Sequence, residues 1–381
     1  MTMRKSVALM WCLSFMGAMS CDRPREARTG GSSVDAEHVV QSDGEARRRE
    51  GDLMRGIVVS CYRWGPGEWD GPGMEPLLDE LTALGVSAVQ IHPYARIGRD
   101  GSVGYRPGPV TPATLKPIGW ANDRGMTTFL KPHLAYWGSG FSWRGEITFD
   151  TEAKWQRFFR DYETFIVHQA QLAQQADATV FAVGTELHKT LHREADWRRV
   201  IAAIRAVYDG KLTYAANWDE KGDVPFWDAL DYVGVQFYYP LSQSVPPTDD
   251  ELRVGWQKRL GELDAFSRQH GKPILLAELG YAESEEAALR PWSDAAVGDR
   301  EVGAALKLRC MRIALGQINA DPLIAGVFLW KWFPGDRDHR DEFVLQYDAM
   351  RDVIRTAWLS PDIAEVALGE AKDAASREGT P

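Results

Sequence analysis

The sequence predicts a single (β/α)8 barrel, and two observations carry that prediction. Beyond Gly56 the chain alternates between short apolar runs rich in β-branched and aromatic residues and longer stretches of helical periodicity, and there are eight such runs. The runs also finish on polar or aromatic residues, as the rim of a barrel active site requires and a purely structural barrel does not. Strands buried on both faces and separated by helices pair in parallel, and eight strand–helix units close into a barrel. An open doubly wound sheet is the alternative, but it leaves the eighth run unexplained and lacks its Gly-rich phosphate turn.

In chain order, IVVSCY (57–62) leads into Tyr62 and Trp64, and VSAVQIHPY (86–94) ends on His92 and Tyr94. MTTFLKPHL (126–134) carries Lys131 and His133, and TVFAVGTEL (179–187) delivers Glu186 with His188 just beyond. KLTYAANW (211–218) ends on Asn217 and Trp218; DYVGVQFYY (231–239) ends on Gln236, Tyr238 and Tyr239. PILLAELGY (273–281) presents Glu278 and Tyr281, and IAGVFLWKW (324–332) ends on Trp330, Lys331 and Trp332. Helices are expected over 151–175, 196–208, 249–270 and 299–319, with Thr or Asp near their starts as caps or first-turn residues.

The ends of the chain read differently from this core. MTMRK is a positive n-region and SVALMWCLSFMGAM an apolar h-region too short to span a bilayer comfortably, so 1–21 is expected to be an export signal. Ala18-Met19-Ser20 fits cleavage to a soluble secreted protein; Cys21, next in the chain, fits lipidation of a bacterial lipoprotein after an imperfect lipobox; an uncleaved anchor is the third alternative. Residues 22–52 are charged and Gly/Ser-bearing without apolar periodicity, the composition of a tether. The barrel domain is expected over 53–360, with a short tail at 361–381. Of the 4 cysteines, Cys61 and Cys310 belong to the barrel and are expected as buried thiols.

A formal net charge of −10 without a basic stripe excludes a nucleic-acid partner. Fifteen Trp and 12 Tyr suit a carbohydrate cleft, although large aromatics also fill cores. The central signal is the pair Glu186 and Glu278, closing the fourth and seventh runs. Across a closed barrel those ends face each other over the mouth, and two close carboxyls suit glycoside hydrolysis: one attacks the anomeric carbon while the other gives a proton to the leaving oxygen. Taken singly, either glutamate is equally a salt-bridged structural carboxylate. His92, His133 and His188 lack a metal-binding spacing, so neither metal nor cofactor is expected.

The order of the two glutamates resembles that of the clan A glycoside hydrolases. FAVGTEL, LTYAANW followed by FWDALDYVGVQFYYPL, ILLAELGY and GVFLWKWFPG are similar, as a set, to glycoside hydrolase family 113, known for β-1,4-mannanases. The resemblance implies a retaining enzyme acting on a mannan-like polysaccharide, with Glu186 as acid/base and Glu278 as nucleophile. Thr185 stands where many clan A relatives have Asn, which leaves the contact with the sugar 2-hydroxyl to Asn217 or Lys131. Gln236 replaces the small acidic residue expected of the mannanases, putting the sugar preference in question.

Supporting roles follow from physical needs. Tyr238 is expected to donate a hydrogen bond to the nucleophilic carboxylate, with Tyr239 on the opposite face. Trp330 is expected to floor the sugar site while Trp332 packs beneath helices. Lys131 and His133 share one side of their strand and face the bowl with His92, Lys131 binding hydroxyls or lowering a neighbour's pKa. Trp64 is expected to cap the cleft. Two further functions use the same residues: transglycosylation or glycan remodelling in the cell envelope, and carbohydrate binding without turnover. A monomer is expected, whose only membrane contact is the lipid anchor.

Overall fold

The computed structural model describes residues 52–61, 68–107, 112–335 and 342–359. Their elements are β1 (Met54–Val59), α1 (Met74–Ala83), β2 (Ala88–Ile91), β3 (Tyr94–Ile97), β4 (Val103–Gly104), α2 (Pro112–Asp123), β5 (Thr127–Leu130), β6 (His133–Ala135), α3 (Glu152–Gln175), β7 (Val180–Thr185), α4 (Glu194–Arg205), β8 (Lys211–Asn217), β9 (Val233–Phe237), α5 (Asp249–His270), β10 (Ile274–Leu279), α6 (Arg300–Asn319), β11 (Ile324–Trp332) and α7 (Asp348–Leu359). Eight strands close into a barrel in the order β1-β11-β10-β9-β8-β7-β5-β2, with β1 pairing in parallel to both β11 and β2. All eight predicted runs supply a barrel strand.

Alternation along the strands sorts side chains into two cores. Val180 and Ala182 point into the barrel with Phe129, Leu275, Ala277 and Phe328, while Phe181 and Val183 join the larger layer between strands and helices. Phe129 and Phe328 meet edge to face at 5.1 Å and plug the interior. Gly56 lies against this plug: a Cβ there would stand 2.4 Å from the Phe328 ring, so only glycine leaves the ring its room.

The helix starts follow the cap chemistry. Thr151 caps α3, Thr248 forms a reciprocal capping box with Glu251 at α5, and Asp299 accepts from the amides of Glu301 and Val302 at α6. Helix α4 begins at Glu194, ahead of the expected 196, with Glu194 and Asp196 both in its first turn, where carboxylates favour the helix dipole.

A three-stranded sheet, β4-β3-β6, departs from the predicted pattern. It continues the second and third apolar runs beyond Pro93 and Pro132, which have no amide hydrogen for a ladder. Past those prolines β3 and β6 pair again, with Tyr94 opposite His133. An unbroken apolar run does not reveal where a strand leaves one sheet for another. Cys310 is buried as expected, but Cys61 is only half-buried, and both are free thiols. Among the described residues no helix is long and apolar enough to cross a membrane. The expected signal at 1–21, the tether at 22–52 apart from Asp52, and the tail at 361–381 lie outside the described residues.

Candidate active site

Glu186 follows β7 at φ 54°, a left-handed conformation that costs a residue with a Cβ and persists only where the surroundings enforce it. Here its amide donates to the Ala215 carbonyl at 2.9 Å, and the next amide, of Leu187, donates to the Tyr214 hydroxyl at 2.7 Å. The chain turns sharply at this point and projects the carboxylate over the barrel mouth. Glu278 is re-aimed by different means: the register of β10 against β9 shifts between Leu276 and Glu278, setting Glu278 opposite Gln236.

The two carboxylates belong to one hydrogen-bonded network. Tyr238 donates to Glu278 Oε2 at 2.9 Å, and Lys131 Nζ donates to Glu278 Oε1. Lys131 also donates to Gln236 Oε1 at 3.0 Å and to the Ala277 carbonyl at 3.4 Å. The Gln236 Nε2 donates in turn to Glu186 Oε1, while Arg144 Nη1 donates to Glu186 Oε2 and Arg144 Nε to the Leu134 carbonyl at 3.3 Å. Lys131 and Arg144 thus face the carboxyl groups of Glu278 and Glu186 at a largely buried site, where a charge needs a partner.

Burial pulls the Lys131 ammonium below its ordinary pKa, with Glu278 and Glu186 opposing that shift. Burial likewise acts to lower Arg144, but the Glu186, Tyr94 and Glu278 charges outweigh it and raise the guanidinium pKa. His92 and His133 stack at 5.1 Å, both about 1% exposed, and burial followed by the Lys131 and Arg144 charges holds them well below the usual histidine range. They are neutral. None of their four ring nitrogens meets a hydrogen-bond partner among the described residues, so the bowl contains polar atoms without a protein contact.

The other predicted residues follow alternation except at the end of β11, where the register against β1 shifts between the pairs Ile57–Leu329 and Val59–Trp332 and turns Trp330 and Trp332 to opposite faces. Trp330 is half-buried, 5.5 Å from His92 with Lys131 Nζ 5.9 Å from its ring, whereas Trp332 is fully buried in the outer core. Tyr239 turns away from Tyr238 and packs against Phe237. Asn217 stands half-buried at the end of β8, opposite Gln236 in the ladder. Lys131 has no exposed surface and spends its donors on Glu278, Gln236 and Ala277, making it a counter-ion rather than a hydroxyl ligand. Trp64 lies outside the described residues.

Sequence reasoning misses two members of the network. It marks Gln236 only as an unusual residue, although Gln236 shares the i, i+2 phase of Tyr238, a signal that faces it toward the bowl. Arg144 comes from a 3-10 turn, Arg144–Glu146, in the loop between β6 and α3, where no periodic signal exists.

Near the rim, Glu220 lies 3.2 Å from His188 Nδ1, with Asp223 3.0 Å from His188 Nε2. Burial first, then the charges of Asp219, Glu186 and Asp223, push the Glu220 carboxyl from 4.5 up to about 8. Across that interval the folded protein binds a proton that the unfolded chain has released. The stabilisation is therefore full below 4.5 and is lost as pH rises through about 8. In Glu220→Gln, the fall in urea midpoint of the wild type between about pH 5 and 9 is expected to flatten. An unchanged slope would instead mean that the carboxyl ionises as the partner of His188.

The model of Glycoside Hydrolase Family 113 matches residues 62–343. Among solved structures, a family 113 β-1,4-mannanase superposes with TM-score 0.70 at 21% identity, covering 81% of this chain and 99% of that one. A family 113 β-mannanase from Alicyclobacillus acidocaldarius gives 0.69 at 24% identity, covering 81% and 97%. An endo-β-1,4-mannanase from Thermotoga petrophila gives 0.53 at 12% identity, covering 81% and 77%. These likenesses are of fold. No curated protein matches the chain.

Proposed function

The chain belongs to glycoside hydrolase family 113, and from that membership we propose that it cleaves a β-1,4-linked, mannan-like polysaccharide with retention of anomeric configuration. The observation that carries the proposal is the single network joining Glu278 to Glu186 through Lys131 and Gln236. Glu278 attacks the anomeric carbon as the bond to the leaving oxygen breaks, and Glu186 gives that oxygen its proton. Water then attacks the glycosyl–Glu278 ester, with Glu186 taking the water's proton and the Glu278 carboxylate leaving. Tyr238 and Lys131 hold the nucleophile and receive it back as an anion. For proton donation, one of the Arg144 and Gln236 contacts on Glu186 yields to the sugar.

In this scheme Trp330 floors the reacting sugar and Asn217 serves its 2-hydroxyl, while His92 and His133, about 1% exposed, back that floor instead of binding hydroxyls as expected. The test is reducing-sugar release from mannan, glucomannan, cellulose and xylan, with the first product followed by NMR. Release from mannan of a β-anomer is expected. An α-anomer sinks double displacement, and no release from any polymer by the folded protein sinks the hydrolase assignment.

Export is proposed on the charged n-region and apolar h-region, with Cys21 carrying a lipid. In a bacterial host, palmitate labelling is expected in the wild type and absent in Cys21→Ser; an unlabelled, freely secreted wild type removes the anchor.

A further inference from the structure

Lys307 lies on α6 and has no exposed surface. A buried ammonium is costly, and an apolar side chain would fill the space between helix and barrel at least as well, so packing alone does not account for a lysine. Its partners do. The Lys307 Nζ donates to the carbonyls of Glu342 and Val344, both at 2.7 Å, and stands 3.9 Å from Glu283 Oε1. The two carbonyls belong to one short segment, 342–346, between β11 and α7. Its carbonyls alternate in direction as they do along a strand. Those of Glu342 and Val344 turn to Lys307, while that of Phe343 accepts from the Lys331 amide at 3.2 Å and the Leu345 amide donates to the Lys331 carbonyl at 3.1 Å. The Gln346 side chain then exchanges two bonds of 2.8 Å with the Phe333 backbone. One edge of the segment is therefore paired to the end of β11, and at the other edge the ammonium supplies donors that a neighbouring strand would have supplied.

Pinned on both edges, the segment turns Phe343 toward the barrel mouth. Phe343 is buried with Tyr238 and Ala282, and Trp330 packs against the same cluster. The Phe343 and Tyr238 rings meet edge to face at 6.3 Å with 83° between their planes. Gly280 leaves room for this contact: a Cβ there would stand 3.1 Å from the Phe343 ring and 2.9 Å from the Trp330 carbonyl. Tyr238 is the residue whose hydroxyl donates to Glu278 Oε2 at 2.9 Å. That hydroxyl keeps its direction as long as its ring is held, and Phe343 supports the ring. A chain of contacts thus runs from Lys307 through the backbone of 342–344 to Phe343, Tyr238 and Glu278.

We infer that Lys307 is a positioning residue for the nucleophile: by fixing the carbonyls of Glu342 and Val344 it seats Phe343 on Tyr238 and holds the Tyr238 hydroxyl on Glu278. The inference rests on the two-carboxylate reaction proposed above and gives that reaction a determinant on an outer helix.

Two measurements on the full chain test it. One is steady-state kinetics on mannan; the other, independent of turnover, is NMR of protein whose tyrosines carry carbon-13 at Cζ, where the Tyr238 line is the one missing from Tyr238→Phe. Lys307→Met is expected to move the Tyr238 line and to lower kcat about tenfold with KM within about twofold. In a Tyr238→Phe background the same substitution should lower kcat by less than about twofold more, since the hydrogen bond it acts on has already gone. Equal losses in the two backgrounds, or an unmoved line, make Lys307 a structural cation and overturn the inference. Where Lys307→Met does not fold, Phe343→Leu, which leaves the ammonium and both carbonyls in place, should show the same kcat loss and the same disappearance of that loss in Tyr238→Phe; wild-type kcat in Phe343→Leu overturns the inference. Should the wild type cleave no polymer, the Tyr238 line decides in whichever of the two variants folds: a moved line supports the positioning chain while the hydrolase proposal falls, and an unmoved line removes both.

Discussion

Glu278→Gln and Glu186→Gln are both expected to abolish most polysaccharide cleavage, but to respond differently to the leaving group. A general acid contributes about 10²–10⁴-fold, and only when the departing oxygen needs a proton. With an aryl glycoside whose phenolate leaves unaided, Glu186→Gln should therefore recover much of its first step and accumulate glycosyl-enzyme, seen as a burst of phenolate. Glu278→Gln has no nucleophile, and no leaving group restores it. Equal recovery in both variants, or recovery in Glu278→Gln alone, would reverse or remove the assigned roles. Because Glu278 also neutralises a buried cation, each variant must first be shown to unfold cooperatively.

The second large effect is on stability. In Lys131→Met the Glu278 carboxylate, 5% exposed, loses its ammonium partner and, among the described residues, keeps the Tyr238 hydroxyl. Removing one member of a buried ion pair costs about 3–5 kcal/mol, because the remaining charge is left uncompensated. Urea unfolding should show a loss of that order. The reverse change, Glu278→Gln, should cost less, since burial already pulls the Lys131 pKa down and the lysine can shed its proton. Combining Lys131→Met with Glu278→Gln should restore part of the stability lost in Lys131→Met. A double variant no better than the lysine single would show that Lys131 matters for packing rather than charge.

Much of this site is legible in the amino-acid sequence. Glu186 and Glu278 are marked by their positions at the ends of apolar runs, and Tyr238 over Tyr239 follows from a two-residue period alone, whereas Trp330 and Trp332 would share a face in a regular strand and are separated only by the register shift of β11 against β1. Arg144 is not legible: loop residues carry no period, and nothing local connects position 144 to position 186. Gln236 is visible in phase but not in role, since an amide that donates to one carboxylate and accepts from the other's lysine is defined only when all three meet. The sheet of β3, β4 and β6 is hidden for a similar reason, because Pro93 and Pro132 interrupt ladders without interrupting hydrophobicity.

The sequence alone determined the eight barrel strands, their parallel closure, and the two glutamates that stand at the ends of the fourth and seventh of them. Those properties are encoded locally, in apolar runs, caps and the residues that finish each run, and barrel closure converts them into a location. Tertiary structure alone decided which cation serves which carboxylate, the left-handed turn at Glu186, and the place of the Gln236 amide between Lys131 and Glu186. Each of these joins residues from different βα units, and an interaction free energy between groups distant in the chain exists only once closure has brought them within a few ångströms.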